Sequence, residues 1–257
     1  MPKQTKTEQI ESIHSKTMKK TKNKPIHMLL YGNPGAGKTI LASTFPKALY
    51  FDFDSGTQHY EDAFKENKYI RGDKLIDYLA KAIEQVREGT FEYETIVIDS
   101  LTNLENNAIA RFKGLNSSNW ATNLYSSNQK KLFQDDWGNI SGSTISMLSN
   151  IRDLPVNIVI ITQIDTVKDN GTIKYAPSLV GKGQYESLHF ADVVGYLFTK
   201  AGETKEERYL AVSATLDDNF YAKARILSGN AEPIKNPSYE KLVKLLQTEE
   251  VKLDFSE

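Results

Sequence analysis

From Ile26 onward, short apolar runs alternate with stretches in which apolar residues recur at helical spacing. "IHMLLYG" (26–32) is a near-continuous apolar run and predicts a buried strand. The segment Lys38–Phe45 predicts a helix that Pro46 helps to end. "ALYFDFD" (48–54) predicts a second strand. "DKLIDYLAKAIEQVREG" places Leu75, Leu79, Ala82 and Val86 on one face, an amphipathic helix closed by Gly89. "YETIVID" (93–99) predicts a third strand. A helix follows with Leu101, Leu104, Ala108 and Phe112 in register, ending at Gly114.

The texture then changes. "NSSNWATNLYSSNQKK" (116–131) is polar and lacks a persistent period, which predicts a loop or insert. A helical pattern runs from Asp136 to Leu154, weakened by Gly138 and Gly142. "VNIVIITQ" predicts a fourth strand, residues 169–186 a Gly-containing loop, and "ADVVGYLFT" a fifth strand. "ERYLAVSAT" and "NFYAKARIL" read as antiparallel edge strands. "NPSYEKLVKLLQ" predicts a helix with Asn236 as its cap and Pro237 at its first position. Strands alternating with helices predict an α/β fold: a mostly parallel sheet, helices on both faces, and antiparallel edge strands near the C-terminus. Ligands of such sheets bind at the carboxyl ends of the strands.

Residues 1–24 carry Lys3, Lys6, Lys16, Lys19, Lys20, Lys22 and Lys24 against Glu8 and Glu11, and read as a basic flexible arm. Residues 25–248 form the main domain and 249–257 an acidic tail. At 257 residues the chain suits one large α/β domain. It has no cysteine, which fits a reducing cytoplasm. The net charge of -1 supplies no overall pull toward nucleic acid or membrane, so any such contact must be local. "VNIVIITQI" is too short to span a bilayer. His14, His27, His59 and His189 are scattered and suggest no metal cluster. A cytoplasmic protein is expected, in the host cytoplasm if the chain is phage-encoded.

Chemistry enters with "YGNPGAGKT" (31–39), which reads as Gly32-x-x-x-x-Gly37-Lys38-Thr39 between a strand and a helix. This is a phosphate-binding loop. Its glycines let the backbone turn tightly and aim N–H groups at a phosphate, at a helix N-terminus whose dipole favours anions. Gly32, Asn33, Pro34, Gly35, Ala36, Gly37, Lys38, Thr39 and Ile40 are the expected nucleotide contacts. Lys38 supplies charge to the β- and γ-phosphates, and Thr39 a hydroxyl to Mg²⁺.

Such a site needs an acidic residue at the end of a second strand. "TIVIDS" supplies Asp99, although an aspartate there also suits helix capping, as does Ser100. Ring-forming AAA+ enzymes commonly place a glutamate after this aspartate, whereas Ser100 follows here, so a base must come from elsewhere. "YFDFDSG" offers Asp52 and Asp54, which strand alternation would point to one face. Asp54, at the tip, suits a general base for water; both aspartates also suit the start of a turn. "TQID" (162–165) resembles a guanine-reading element, but Gln163 replaces its lysine and no glycine stands three positions after Asp99, which argues against a GTPase.

Together these residues resemble the RecA family of ATPases. In that family the loop is followed by a strand ending in a catalytic carboxylate, usually Glu, then one ending Asp-Ser, then one ending in Gln. "YFDFDSG" resembles the first with Asp54 in the glutamate's place, "IVIDSLTNL" the second, and "VIITQ" the third. "FQDDWGNISGSTISMLSNIRDLPVNIVIITQ" and "YAKAR" resemble phage-encoded RecA-like ATPases of the AAA type. One branch of these, the Sak type, promotes single-strand annealing. The resemblance implies a RecA-like P-loop NTPase that uses ATP and Mg²⁺, with Lys38, Asp54 and Gln163 catalytic and Thr39 and Asp99 at the metal. It also implies that Gln163 senses the γ-phosphate, against the alternative of a strand-end amide satisfying backbone groups. Asp54 is one methylene shorter than the expected glutamate, which implies slow hydrolysis or a differently held water.

Single-stranded DNA is the expected partner, with a single-strand-binding protein as a second. Candidate contacts are Trp120, Tyr125, Lys130 and Lys131 of the insert, the lysine arm, and Lys168, Lys174 and Lys182 in a second loop at 168–182. Lys182, in "VGKGQ", is a candidate to act in trans on a neighbouring subunit's nucleotide in a homo-oligomeric ring or filament. A rival expectation is a nucleotide-gated module that recruits a replication protein and hydrolyses little. A small-molecule kinase fits less well, because no lid with clustered arginines is visible.

Overall fold

Strand β1 (His27–Gly32) is buried along its whole length. Such a strand needs apolar residues on both faces, which "HMLLY" provides. It pairs in parallel with β5 (Asn157–Ile161) on one side and β8 (Val193–Ala201) on the other. Beyond β5 come β4 (Thr95–Asp99), β2 (Ala48–Asp52) and β3 (Lys68–Ile70), all parallel. Beyond β8 the sheet turns antiparallel, through β9 (Glu206–Ala211) and β11 (Ile234–Lys235), with β10 (Lys223–Ala224) also against β8. This is the expected mostly parallel sheet with antiparallel strands on the C-terminal side. In this computed structural model, the described residues are 24–59, 61–72, 74–113, 132–169, 171–202, 206–215, 218–225, 227 and 230–248.

Alternation along each strand divides the core into two layers. Leu29, Tyr31, Phe51, Ile96, Ile98, Ile158 and Ile160 meet α2 (Leu75–Glu88), α4 (Gln134–Ile151) and α5 (Gly183–Phe190) through Leu79, Val86, Leu148 and Phe190. Met28, Leu30, Tyr50, Val97, Val159 and Ile161 meet α1 (Lys38–Ser43) and α6 (Tyr239–Thr248) through Leu41, Leu242 and Leu246. Leu242 is fully buried, so truncation to Ala is expected to cost about 2–5 kcal/mol. Gly89 closes α2 in the left-handed conformation, as its sequence position predicts.

The expected elements differ from the structure in several places, among them the strand expected over "NFYAKARIL", which is confined to Lys223–Ala224. The loop expected at 169–186 instead holds the end of β6 (Ile164–Asp169), then β7 (Thr172–Pro177), which pairs with β6 in a hairpin separate from the main sheet, and the start of α5. Strand β3 and two single-turn helices, Thr57–His59 and Glu61–Ala63, occupy a stretch given no elements. Helix α6 starts at Tyr239 with Ser238 as its cap, because Ser238 Oγ accepts from Lys241 N at 3.3 Å. Asn236 lies instead in a left-handed turn at φ 47, its N–H given to Arg208 O.

Register sets where the chemistry falls. Gly32 pairs with Leu197, Leu30 and Asp99 both pair with Ile161, and Asp52 pairs with Asp99. The ends of β1, β5, β4 and β2 therefore share one edge. Because β5 lies between β1 and β4, the residues that follow it, Thr162 and Gln163, stand between the Gly32 loop and Asp99.

Candidate active site

The loop after β1 is shaped by two close approaches. A Cβ on Gly32 would stand 2.0 Å from Leu197 O, so β8 forbids any side chain there. Gly37 has φ 98, which L side chains rarely adopt, and a Cβ on it would lie 2.7 Å from Arg208 Nε. Helix α1 then begins at Lys38 with no side-chain cap, which leaves its first N–H groups available to an anion. Lys38 is folded onto the loop, its Nζ donating to Gly32 O at 2.8 Å and Asn33 O at 3.0 Å. Burial pushes its ammonium below the ordinary value, partly opposed by Asp99 and Asp54.

Asp99 ends β4 and is 4% exposed. Its Oδ2 accepts from the Thr39 hydroxyl at 2.7 Å. Helix α3 (Leu101–Phe112) is capped by Ser100, whose Oγ accepts from Asn103 N. Capping therefore falls to Ser100 and leaves Asp99 to the cavity. Burial pushes the Asp99 carboxyl up to about 7; the Thr39 hydrogen bond and Lys38 oppose this, and the Asp54 and Asp52 carboxylates add to it.

The two aspartates of "YFDFDSG" do not share a face, because β2 ends at Asp52 and alternation ends with it. Asp52 is the turn residue. It accepts from Gly56 N, Thr57 N and the Thr57 hydroxyl, and pairs with Arg71 Nε at 3.0 Å. Asp54 is exposed and faces the cavity, where its Oδ1 accepts from Ser100 N at 3.1 Å and Ser100 Oγ at 2.8 Å. Gln163 is positioned by its backbone: its N–H donates to Thr102 Oγ1 at 3.0 Å and its carbonyl accepts from Ser178 N at 2.9 Å. The adjacent Thr162 hydroxyl is buried and has no partner among the described residues.

Lys38, Thr39, Asp54, Asp99 and Gln163 thus line one cavity of ≈ 320 Å³, along with Pro34, Gly35, Gly37 and Ile40 of the loop. A larger cavity of ≈ 650 Å³ lies between α2 and α4, but glycine, serine and asparagine dominate its lining. We place the chemistry in the smaller one, where charges converge. Arg208, on β9, also borders it and was not foreseen from sequence.

The metal-side residues fit a hard divalent cation. Among the described residues no group of three or more His, Cys, Asp or Glu could cage a metal. Mg²⁺ needs no such cage, since it keeps waters and takes one or two protein oxygens plus phosphate oxygens. Thr39 and Asp99, two adjacent oxygens with a carboxylate short of compensating charge, would supply them.

The remaining candidates scatter. Lys174 does not join an exposed basic surface: it is 8% exposed, 3.8 Å from Asp169, with its ammonium over the Tyr221 ring. Lys168 is exposed on β6. Lys182 is exposed at the start of α5 and does not line the cavity. Trp120, Tyr125, Lys130 and Lys131, the arm before Lys24 and the tail lie outside the described residues. No helix among the described residues is long and apolar enough to cross a membrane.

The sequence profile of the family AAA_24, described as an AAA domain, matches residues 24–226. The chain belongs to this AAA-domain family. The match runs from the start of β1 through β10 and so contains every residue of the cavity. Curated proteins give no match. Among solved structures, this AAA-domain chain is similar to a KaiC-like protein from the archaeon Pyrococcus horikoshii OT3, with a TM-score of 0.43, 14% identity, and coverage of 78% of this chain and 83% of that one. It is also similar to the flagellar accessory protein FlaH from Methanocaldococcus jannaschii, with a TM-score of 0.42, 11% identity, and coverage of 83% and 85%.

Proposed function

We propose that this AAA-domain protein hydrolyses ATP and uses the cycle to act on single-stranded DNA in phage-type recombination, annealing or replication. The observation that carries the reading is the convergence of Lys38, Thr39, Asp99, Asp54 and Gln163 on one cavity. Lys38 exchanges its two loop carbonyls for phosphate oxygens, and the N–H groups of the loop and α1 take the rest. Thr39 and Asp99 would hold Mg²⁺, which supplies charge neutralisation on the phosphates when bound. Asp54, oriented by Ser100, accepts a proton from water as its oxygen attacks the γ-phosphorus. The bond to the β–γ bridging oxygen breaks, leaving ADP and inorganic phosphate.

Support for the DNA role is topological. Gln163 leads directly into the β6–β7 hairpin, and Ser178, just past β7, donates back to the Gln163 carbonyl. The Thr102 hydroxyl joins the same knot by donating to Ser178 O at 2.8 Å. A displacement of Gln163 by a γ-phosphate is therefore passed to the hairpin, which presents Lys168 and Ile173 to solvent. The insert at 116–131, with Trp120 and Tyr125, follows α3, whose N-terminus borders the same cavity at Ser100. Assembly into a homo-oligomer would align these surfaces and offset a near-neutral net charge.

The test is ATP turnover by the full chain with and without single-stranded DNA. The proposal expects Mg²⁺-dependent turnover that rises with DNA. Turnover indifferent to DNA, together with ATP-dependent capture of a replication protein, would replace it with the recruitment module.

A further inference from the structure

The cavity does not end at the phosphate loop. Past Gly37 and Ile40 it meets a second cleft of ≈ 110 Å³, which shares those two residues and Arg208 and adds Leu41, Leu197, Asn236 and Pro237. Sheet order decides which end of a nucleotide each cavity takes. Strands β4 and β2, bearing Asp99 and leading to Asp54, lie on one side of β1; β8 and β9 lie on the other. A triphosphate whose γ-phosphate faces Asp99, Asp54 and Gln163 must leave the loop on the β9 side, past Gly37 and Ile40. Arg208 stands there.

We propose that Arg208 is an in-cis phosphate contact and that the cleft of Leu197, Asn236 and Pro237 seats the nucleoside base. This rests on the phosphate-loop reading and deepens it. Arg208 pairs with Thr199 in the β8–β9 ladder, so its backbone is fixed, while its side chain reaches back against Gly37. A guanidinium offers five donors in a planar fork and retains its charge, properties suited to a phosphate oxygen pair. The cleft is braced before any ligand arrives: Asn236 N donates to Arg208 O at 2.7 Å, and Lys241 Nζ donates to Lys235 O and Asn236 O, both at 2.8 Å. Leu197 and Pro237 give apolar contact, and the Asn236 carboxamide offers a donor and an acceptor to a base edge. The glycine at 37 gains a second reason, since a Cβ there would displace the arginine.

The experiment is calorimetric titration of the full chain with Mg·ATP and with Mg·inorganic triphosphate, which has phosphates but no base. Arg208→Ala should weaken both ligands about tenfold or more, the usual scale for a lost hydrogen bond to a charged group. Arg208→Gln keeps the stem and part of the packing, should melt like the unmodified protein when ligand-free, and should show the same loss. Asn236→Gly removes the carboxamide without straining a left-handed position, and should weaken ATP while sparing triphosphate. Lys38→Ala should abolish both. The inference is overturned if both Arg208 variants bind both ligands at full affinity while Lys38→Ala binds neither. If Lys38→Ala itself binds both normally, the phosphate-loop reading fails instead.

Discussion

Replacing Asp99 by Asn should make the empty protein more stable and the nucleotide useless to it. Asp99 is almost wholly buried, and burial holds its carboxyl up to about 7 against an ordinary value near 4. A displacement of about three pH units is worth about 4 kcal/mol. The sign follows from which state keeps the proton. Between about pH 4 and pH 7 the folded protein retains it while the unfolded chain has released it, so stability falls as pH rises through this window. Asn carries no such penalty and still offers an oxygen to the Thr39 hydroxyl, but it forfeits the attraction to Lys38. A net gain of about 2 kcal/mol is expected at about pH 8, or about 4–8 °C in melting temperature. The assay is thermal unfolding in chelator across pH, then with Mg·ATP. The gap between the two proteins should vanish near about pH 4, where both are uncharged at this position. Saturating Mg·ATP at a hundred times its Kd should stabilise the unmodified protein by about 2.7 kcal/mol, and the variant no more than ATP in chelator does. A variant less stable than the parent at about pH 8, or a gap independent of pH, would refute the reasoning.

Other expectations follow the same geometry. Glu105 is buried, with Oε2 accepting from Val180 N at 2.8 Å and Oε1 from the Thr144 hydroxyl; Glu105→Leu strands the Val180 N–H and should cost about 1–3 kcal/mol, with Glu105→Gln costing less in urea titrations. Gln163→Ala should leave ATP affinity near that of the parent while DNA ceases to stimulate turnover, because Gln163 borders the cavity and its backbone anchors the hairpin. Trp120→Ala with Tyr125→Ala should lower single-strand affinity with a non-hydrolysable analogue present, at about 1–3 kcal/mol per stacked base, and leave basal hydrolysis unchanged. Removal of residues 1–24 should weaken all sequences alike and flatten the salt dependence of binding.

Much of the sheet and most of the cavity could be read from local pattern, because both depend on contiguous residues. A buried parallel strand must be apolar throughout, so "HMLLYG", "TIVID" and "NIVII" announce themselves. The phosphate loop is a backbone device and keeps its glycines in order. Asp52 and Asp54 could not be separated by alternation, since the division depends on where β2 stops and on Arg71 reaching Asp52 from the end of β3. The β6–β7 hairpin did leave a signal: Asn170–Gly171 between alternating residues favours a tight hairpin turn, and the reading of 169–186 as loop passed over it. Lys174 looked like any loop lysine, and only the packing of Tyr221 over the hairpin shows it buried. Arg208 had no signal. It reaches the phosphate loop through antiparallel pairing of β9 with β8 and parallel pairing of β8 with β1, relations that no local pattern encodes.

The account stands on Asp54 as the base that turns a nucleotide-binding cavity into an ATPase. Asp54→Asn keeps the shape and still lets the side-chain oxygen accept from Ser100, but it cannot take a proton. The decisive measurement is single-turnover hydrolysis of Mg·ATP by this variant and the parent, with ATP affinity titrated on the same samples. The account predicts equal affinity and a rate lower by about 10²–10⁴-fold in the variant. Equal rates at equal affinity would contradict it and return Asp54 to the role of a turn residue.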